Sequence, residues 1–261
     1  MLEAGGVRVV WSGDDAAPVV TVTLARPERR NAQTPATWRA LAQVGAALPT
    51  GTRVVVLRGD GPSFSAGLDT RLFGPDGVDG ESPFTAVGGV PVGAGADLIA
   101  TFQEGFSWWH DRDDVITVAA VQGATVGAGF QLALACDLRV AAADARFSMR
   151  ETTLGLVPDL TGTHPLVRAI GYSRALEICV TGRWVSAQEA LALGLVTSVC
   201  PPDGLDDAVQ GVVASVLAAP ARAVRDTKKV LRHAITSTVE DQRRIERETQ
   251  AALIRSLVGH D

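Results

Sequence analysis

No apolar run in this chain reaches the roughly 18 residues that a membrane-spanning helix needs, and its first eleven residues lack the basic stretch and apolar core of a secretory signal. Cysteine is scarce. Cys136, Cys179 and Cys200 stand far apart, with no CxxC and no Cys/His cluster. This argues against a disulfide framework or a zinc site, and it is the usage expected of a protein in a reducing cytoplasm. Positive charge is not in excess either: 24 Lys and Arg face 29 Asp and Glu, for a net charge of −5. Neither nucleic acid nor an anionic membrane is therefore expected as a partner. Two catalytic signatures are also missing. Gly123, Gly127 and Gly129 do not have the GxGxxG spacing of a dinucleotide site, and neither Ser63 nor Ser65 sits in the GxSxG elbow of a serine hydrolase.

Glycine, by contrast, is abundant at 27 of 261 residues. Two glycine-rich turns carry the most information, FSAGLD at 64–69 and GATVGAG at 123–129. Each follows a run that reads as a buried strand, 54–58 and 115–122 respectively, and each precedes a segment able to start a helix. Glycine permits positive φ and close approach of another group. A helix start offers unpaired N–H groups and a positive dipole end. Two such turns meeting in space would aim two backbone donors at one oxygen, the geometry of an oxyanion hole.

The rest of the chain reads as one α/β domain with a helical appendage. Runs at 7–11 and 19–24 resemble a strand pair joined by a polar turn at 12–15, followed by a basic loop at 26–31. Thr34 can cap a helix with Pro35 in its first turn and Trp38, Leu41 and Val44 on one face. Residues 74–95 hold seven Gly and three Pro with little periodicity, so a mobile loop is expected there. Apolar residues recur at helical spacing over 96–110. A strand at 115–122, a helix at 130–136 and a strand at 138–142 then imply a largely parallel sheet with helices around it. From 161 onward helices are expected at 161–170, 173–181, 186–193, 205–217, 221–235 and 238–258. The change of character near residue 200 suggests a core over 1–200 and a helical subdomain over 201–261.

Titratable groups cluster after the second turn. With a helix starting near Ala128, Gln131 lies one turn inside it, on the face nearest the expected oxyanion site. Glu151 follows the short strand and turn at 146–150. Asp159 ends LGLVPD at 154–159, just before a helix. A carboxylate in such apolar company has its pKa raised by desolvation, which suits proton transfer near neutral pH. On the residues alone, Asp159 is also readable as a helix N-cap and Glu151 as a surface charge, and periodicity does not settle it. Trp108 and Trp109 read as core or interface, and His164 as a core or helix-start histidine.

Four ordered blocks resemble the crotonase superfamily, the enoyl-CoA hydratases and isomerases: LARPERRNA at 24–32, GPSFSAGLD at 61–69, AAVQGATVGAGFQLALACDLRVA at 119–141 and ARFSMRETTLGLVPD at 145–159. VTGRWVSAQEALALGLV at 180–196 extends the likeness. The resemblance implies a spiral of ββα units with a C-terminal helical trimerisation region, and a homotrimer or dimer of trimers. It implies acyl-CoA substrates, with coenzyme A part of the substrate and no separate cofactor. It places the thioester oxygen between the amides of Leu68 and Ala128, the latter where the family usually has the middle glycine of GGG. CoA contacts implied are Arg29, Arg30, Ala32, Ala66 and, from a late helix, Lys228.

Enoyl-CoA hydratases of this family use two glutamates twenty residues apart around a water. Here the second aligns with Glu151 and the first with Gln131, which holds water but does not accept its proton at neutral pH. Asp159 falls where dienoyl-CoA isomerases carry a catalytic aspartate. The expectation is therefore an enoyl-CoA hydratase/isomerase of acyl-CoA or fatty acid metabolism with catalytic Glu151, Asp159 and Gln131, isomerisation ranked just above hydration. A CoA-thioester hydrolase and a catalytically silent acyl-CoA-binding homologue are the alternatives.

Overall fold

The computed structural model describes residues 2–12 and 18–259; residues 13–15 of the turn expected at 12–15 fall outside them. The first strands, β1 (Val7–Ser12) and β2 (Val19–Leu24), pair antiparallel, with Val7 opposite Leu24. Thr34 caps α1 (Pro35–Ala46) as expected: its hydroxyl accepts from the Thr37 amide, and the Thr37 hydroxyl accepts from the Thr34 amide. Trp38, Leu41 and Val44 are buried along one face.

β3 (Val54–Gly59) opens with the apolar run 54–57 because a parallel strand covered on both faces has no solvent side there. The first glycine turn and a 3-10 turn at Thr70–Phe73 follow it. Residues 74–95 are not the unstructured loop expected of them. They contain α2 (Pro83–Gly88), capped by Ser82 accepting from the Thr85 amide, and the start of α3 (Val92–Asp111). Glycines disfavour helix by about 1 kcal/mol each relative to alanine and leave no side-chain stripe. That is why pattern alone missed these turns of helix.

The chain continues through β4 (Ile116–Val121), β5 (Ala124–Val126), α4 (Ala128–Ala135), β6 (Leu138–Ala142), β7 (Arg146–Ser148) and a 3-10 turn at Glu151–Leu154. Then come α5 (Thr163–Ile170), α6 (Tyr172–Thr181), β8 (Val185–Ser186), α7 (Ala187–Leu193) and β9 (Ser198–Cys200). Three helices finish it, α8 (Leu205–Ala218), α9 (Ala221–His233) and α10 (Val239–Leu257). The helices after 161 lie where periodicity put them, to within a few residues. β8 and β9 are too short for any pattern to reveal.

The large sheet runs β1-β2-β3-β4-β6-β9, parallel except for β1 and β2, and a small sheet runs β5-β7-β8. The chain climbs as a spiral. β4 enters the large sheet, β5 the small one, and α4 follows; β6 and β7 repeat the step before the 3-10 turn. Ser65, bridged to Thr125, does for β3 what β5 does for β4. This is the α/β ββα spiral that the sequence implies. Leu57, Phe64, Phe106, Phe130 and Phe147 belong to the inner core. Val54, Val56, Val118 and Val140 face outward and are covered by Leu205, Val209 and Val213 of α8. No helix among the described residues is long and apolar enough to cross a membrane.

Candidate active site

The two glycine turns meet. Ser65 donates its amide to Ala124 at 3.1 Å, and Val126 donates back to the Ser65 carbonyl at 3.0 Å. Gly67 has φ +86°, and a Cβ there would stand 2.5 Å from the Val126 carbonyl oxygen and 3.5 Å from the Ala128 nitrogen. Only glycine fits this crossing. Gly127, at φ +49°, turns the chain into α4. The amides of Leu68 and Ala128 flank the crossing, and among the described residues neither has an acceptor within the chain. Ala128 opens α4, so its N–H belongs to the unpaired first turn. At Leu68 the bridge to Gln33 uses only the flanking groups, Gly67 carbonyl and Asp69 amide.

Both residues line a cavity of about 660 Å³, together with Gln131, Glu151 and Asp159. So the structure gathers the two expected donors and the three expected side chains around one space. Gln131 is buried on α4, and its Oε1 accepts from the amides of Leu160 at 2.9 Å and Gly162 at 3.3 Å. That fixes which end of the amide faces where: Nε2 donates to Glu151 Oε1 at 2.6 Å. Glu151 opens the 3-10 turn, and its Oε2 is buried with no hydrogen-bond partner. Burial raises the Glu151 pKa, and the Asp159 charge adds to it, while the Glu151 amide and Gln131 oppose the shift. Burial likewise raises the Asp159 pKa.

Asp159 is not a helix cap. Gly162 occupies the N-cap of α5 and no side chain bonds there. Instead the Asp159 main-chain carbonyl accepts from Gln103 Nε2 at 2.6 Å, which ties this loop to α3. Glu151, for its part, is no surface charge.

The basic loop packs on the first turn. Ala66 donates to the Arg30 carbonyl at 2.8 Å, and the Ser65 hydroxyl to the Asn31 carbonyl at 2.8 Å. Arg29 and Arg30 are exposed at this edge, Ala32 accepts from Arg26, and Ala66 lines the cavity. Lys228 is a correction. Its ammonium is buried, donating to Asp137 Oδ2 at 2.7 Å and the Val115 carbonyl at 2.9 Å, so it anchors α9 to the core and does not line the cavity. Trp109 is core, stacked on Trp108 at 4.0 Å, and His164 is exposed on α5.

Sequence reasoning missed three features of the site. The amides of Leu160 and Gly162 that orient Gln131 are main-chain groups with no sequence mark. Asp69 is clamped by Arg71 and Arg26, and the Arg71 hydrogen bond above all holds it at about 2 against the cost of burial; the spacing DTR at 69–71 was its only signal. The third is the aromatic lining, Trp38, Phe73, Phe84 and Phe102.

A family model described as enoyl-CoA hydratase/isomerase matches residues 92–257. The (E)-benzylidenesuccinyl-CoA hydratase of Thauera aromatica is 32% identical over 81% of this chain and 77% of its own length. The 2,3-dehydroadipyl-CoA hydratase of Escherichia coli (strain K12) is 34% identical over 71% and 67%. A Thermobifida fusca YX protein solved in complex with acetoacetyl-CoA is 44% identical and superposes with a TM-score of 0.91, covering 98% of this chain and 97% of that one.

Proposed function

The chain belongs to the enoyl-CoA hydratase/isomerase family of the crotonase superfamily, and on that premise we propose that it moves the double bond of an unsaturated acyl-CoA through a thioester enolate. The observation that carries this reading is the shared cavity: two acceptor-free amides, Leu68 and Ala128, beside two carboxyls of raised pKa, Glu151 and Asp159. A 3-enoyl-CoA loses a C2 proton to the Glu151 carboxylate. The electron pair moves into a dienolate whose charge rests on the thioester oxygen, between the two amides. One such donor is worth about 3 kcal/mol in the transition state. A proton is then returned at C4, by Glu151 itself or by Asp159, giving the 2-enoyl-CoA with no net water. Gln131 stays neutral and holds Glu151 in place.

Arg29 and Arg30, with the edge at Ala32 and Ala66, are the proposed contacts for CoA, a reading supported by their exposure beside the cavity rim. Assembly as a homotrimer or dimer of trimers is supported by apolar side chains left exposed on the late helices, Leu176, Leu231, Ile254 and Leu257 among them.

Hydration is the second reading. The relatives are named hydratases, and the second hydrogen on Gln131 Nε2 suits a water that Glu151 alone would deprotonate. The test is a panel of 2-enoyl, 3-enoyl and dienoyl thioesters assayed with wild type, Glu151→Gln and Asp159→Asn. Isomerisation predicts rapid bond migration, slow hydration, loss of turnover in Glu151→Gln and a clear drop in Asp159→Asn. Rapid hydration with full activity in Asp159→Asn would establish the second reading. Binding without turnover of any thioester would leave an acyl-CoA-binding protein.

A further inference from the structure

The wall of the cavity built by α1, the 3-10 turn, α2 and α3 presents Trp38, Phe73, Phe84, Val87, Ile99 and Phe102. Its rings are already organised. Phe73 and Phe84 stack with centroids 4.4 Å apart and planes 22° from parallel, and Phe102 tilts against Trp38 at 5.0 Å and 49°. The one polar atom of the Trp38 ring is turned away, since Nε1 donates to Gln33 Oε1 at 2.9 Å. What the wall offers a ligand is therefore ring faces, ring edges and methyl groups, with Thr70 at its edge the one polar side chain from these elements. The titratable side chains of the cavity sit on other elements, Glu151 and Asp159 on the segment after β7.

A phenyl group and a four-carbon alkyl segment have comparable apolar area to bury, but they differ in two respects. Rings meeting aromatic side chains face-on or edge-on gain beyond their area. A ring also arrives rigid, whereas each rotor of an alkyl chain must be fixed on binding. Both effects favour the ring, and the cavity of about 660 Å³ has the breadth for it.

We propose that the acyl group this enzyme selects carries an aryl or comparably flat ring rather than a linear alkyl chain. This rests on the acyl-CoA reading of the same cavity. Phe84, half-buried on α2 and packed on Phe73, is the residue that sets the preference.

The experiment compares equilibrium binding of 4-phenylbutanoyl-CoA and octanoyl-CoA, in which a phenyl group replaces a butyl end of similar area, and turnover of 6-phenyl-3-hexenoyl-CoA and 3-decenoyl-CoA, matched in the same way. Wild type and Phe84→Leu are used, with folding checked by thermal unfolding. The expected result is an aryl preference of about fivefold or more in both Kd and kcat/KM, falling to twofold or less in Phe84→Leu because aryl binding weakens more than octanoyl-CoA binding. Equal or tighter binding of octanoyl-CoA by wild type would overturn the proposal and leave the acyl-CoA reading intact. Failure of every thioester to bind would overturn both. An aryl preference that survives unchanged in Phe84→Leu would remove Phe84 from its assigned role.

Discussion

Gln131 and Glu151 are joined at 2.6 Å, Nε2 to Oε1, and the direction of that bond is set from behind by the Leu160 and Gly162 amides on the Gln131 carbonyl. A glutamine so held cannot flip. It leaves Glu151 as the one titratable partner in the pair, buried, with its second oxygen unpartnered.

The pH dependence follows from Glu151. In the proposed role of base it must be ionised, and burial raises its pKa. The acid limb of kcat/KM is expected above the ordinary glutamate value of about 4.3, and Glu151→Gln is expected to lower kcat by about 10²–10⁴-fold. Stability moves the other way. A carboxyl with a raised folded pKa contributes most below its unfolded pKa, and that contribution is lost as pH rises through the folded value. Glu151→Gln should therefore unfold at a higher temperature than wild type at pH 8, an advantage that vanishes toward pH 4. Thermal unfolding across that range reads it directly, and a variant less stable at pH 8 would contradict the assignment.

Replacing Gln131 by glutamate makes a second prediction. One carboxylate oxygen would keep the Leu160 and Gly162 amides, and the other would face Glu151 Oε1 across the present 2.6 Å. Two carboxylates that close share a proton, so the pair titrates with one strongly raised value. In Gln131→Glu the acid limb of kcat/KM should move up by about one pH unit or more. An unshifted limb would mean that the two side chains separate in the working enzyme.

Much of this site was legible because its parts are local. Each glycine turn announces itself through composition, Asp159 stands out as an acid in apolar surroundings, and Glu151 was marked by its block of the family resemblance. The helices after 161 show clean periodicity, so their positions follow from side-chain spacing alone. What stayed hidden depends on partners far along the chain. Lys228 and Asp137 are 91 residues apart, and nothing in a solvated-looking basic helix marks one lysine as turned inward. The choice between cap and site residue for Asp159 rested on whether α5 begins directly after it or at Thr163, a difference that pattern does not resolve. The glycines of 74–95 concealed the helices that carry Phe84 and the start of α3.

Gly67 gives a third prediction. A Cβ there would sit 2.5 Å from the Val126 carbonyl at a φ that side chains avoid. The obstacle is backbone, so it has no easy way to yield. Gly67→Ala should push the first turn off the second and misplace the Leu68 amide. The expected loss is about 10²–10³ in kcat, as for removal of one oxyanion donor, with KM for the acyl-CoA changed far less. A variant with normal kcat would mean that the Leu68 amide is not where charge develops.

Lys228 separates a structural cation from a ligand contact. Its side chain is 6% exposed and that of Asp137 15%, and the pair is completed by Thr117, whose amide and hydroxyl both donate to Asp137 Oδ2. Burial alone would raise the Asp137 pKa, but hydrogen bonding from His110, the Lys228 charge and the Thr117 amide outweigh it and hold it low. Removing one member of a buried pair leaves the other charge uncompensated, at a cost of about 3–5 kcal/mol. Lys228→Met should lower the unfolding temperature accordingly, with KM for acyl-CoA unchanged. Because the Asp137 pKa is depressed, the pair's stabilisation is present above the unfolded carboxyl value of about 3.9 and lost as pH falls through the folded one. The gap between variant and wild type should therefore close in acid. Lys229→Met is the control: that lysine is half-exposed and 3.9 Å from Asp226, so it should shift stability by less than about 1 kcal/mol. A Lys228→Met protein of normal stability but raised KM would restore the lysine to the CoA site.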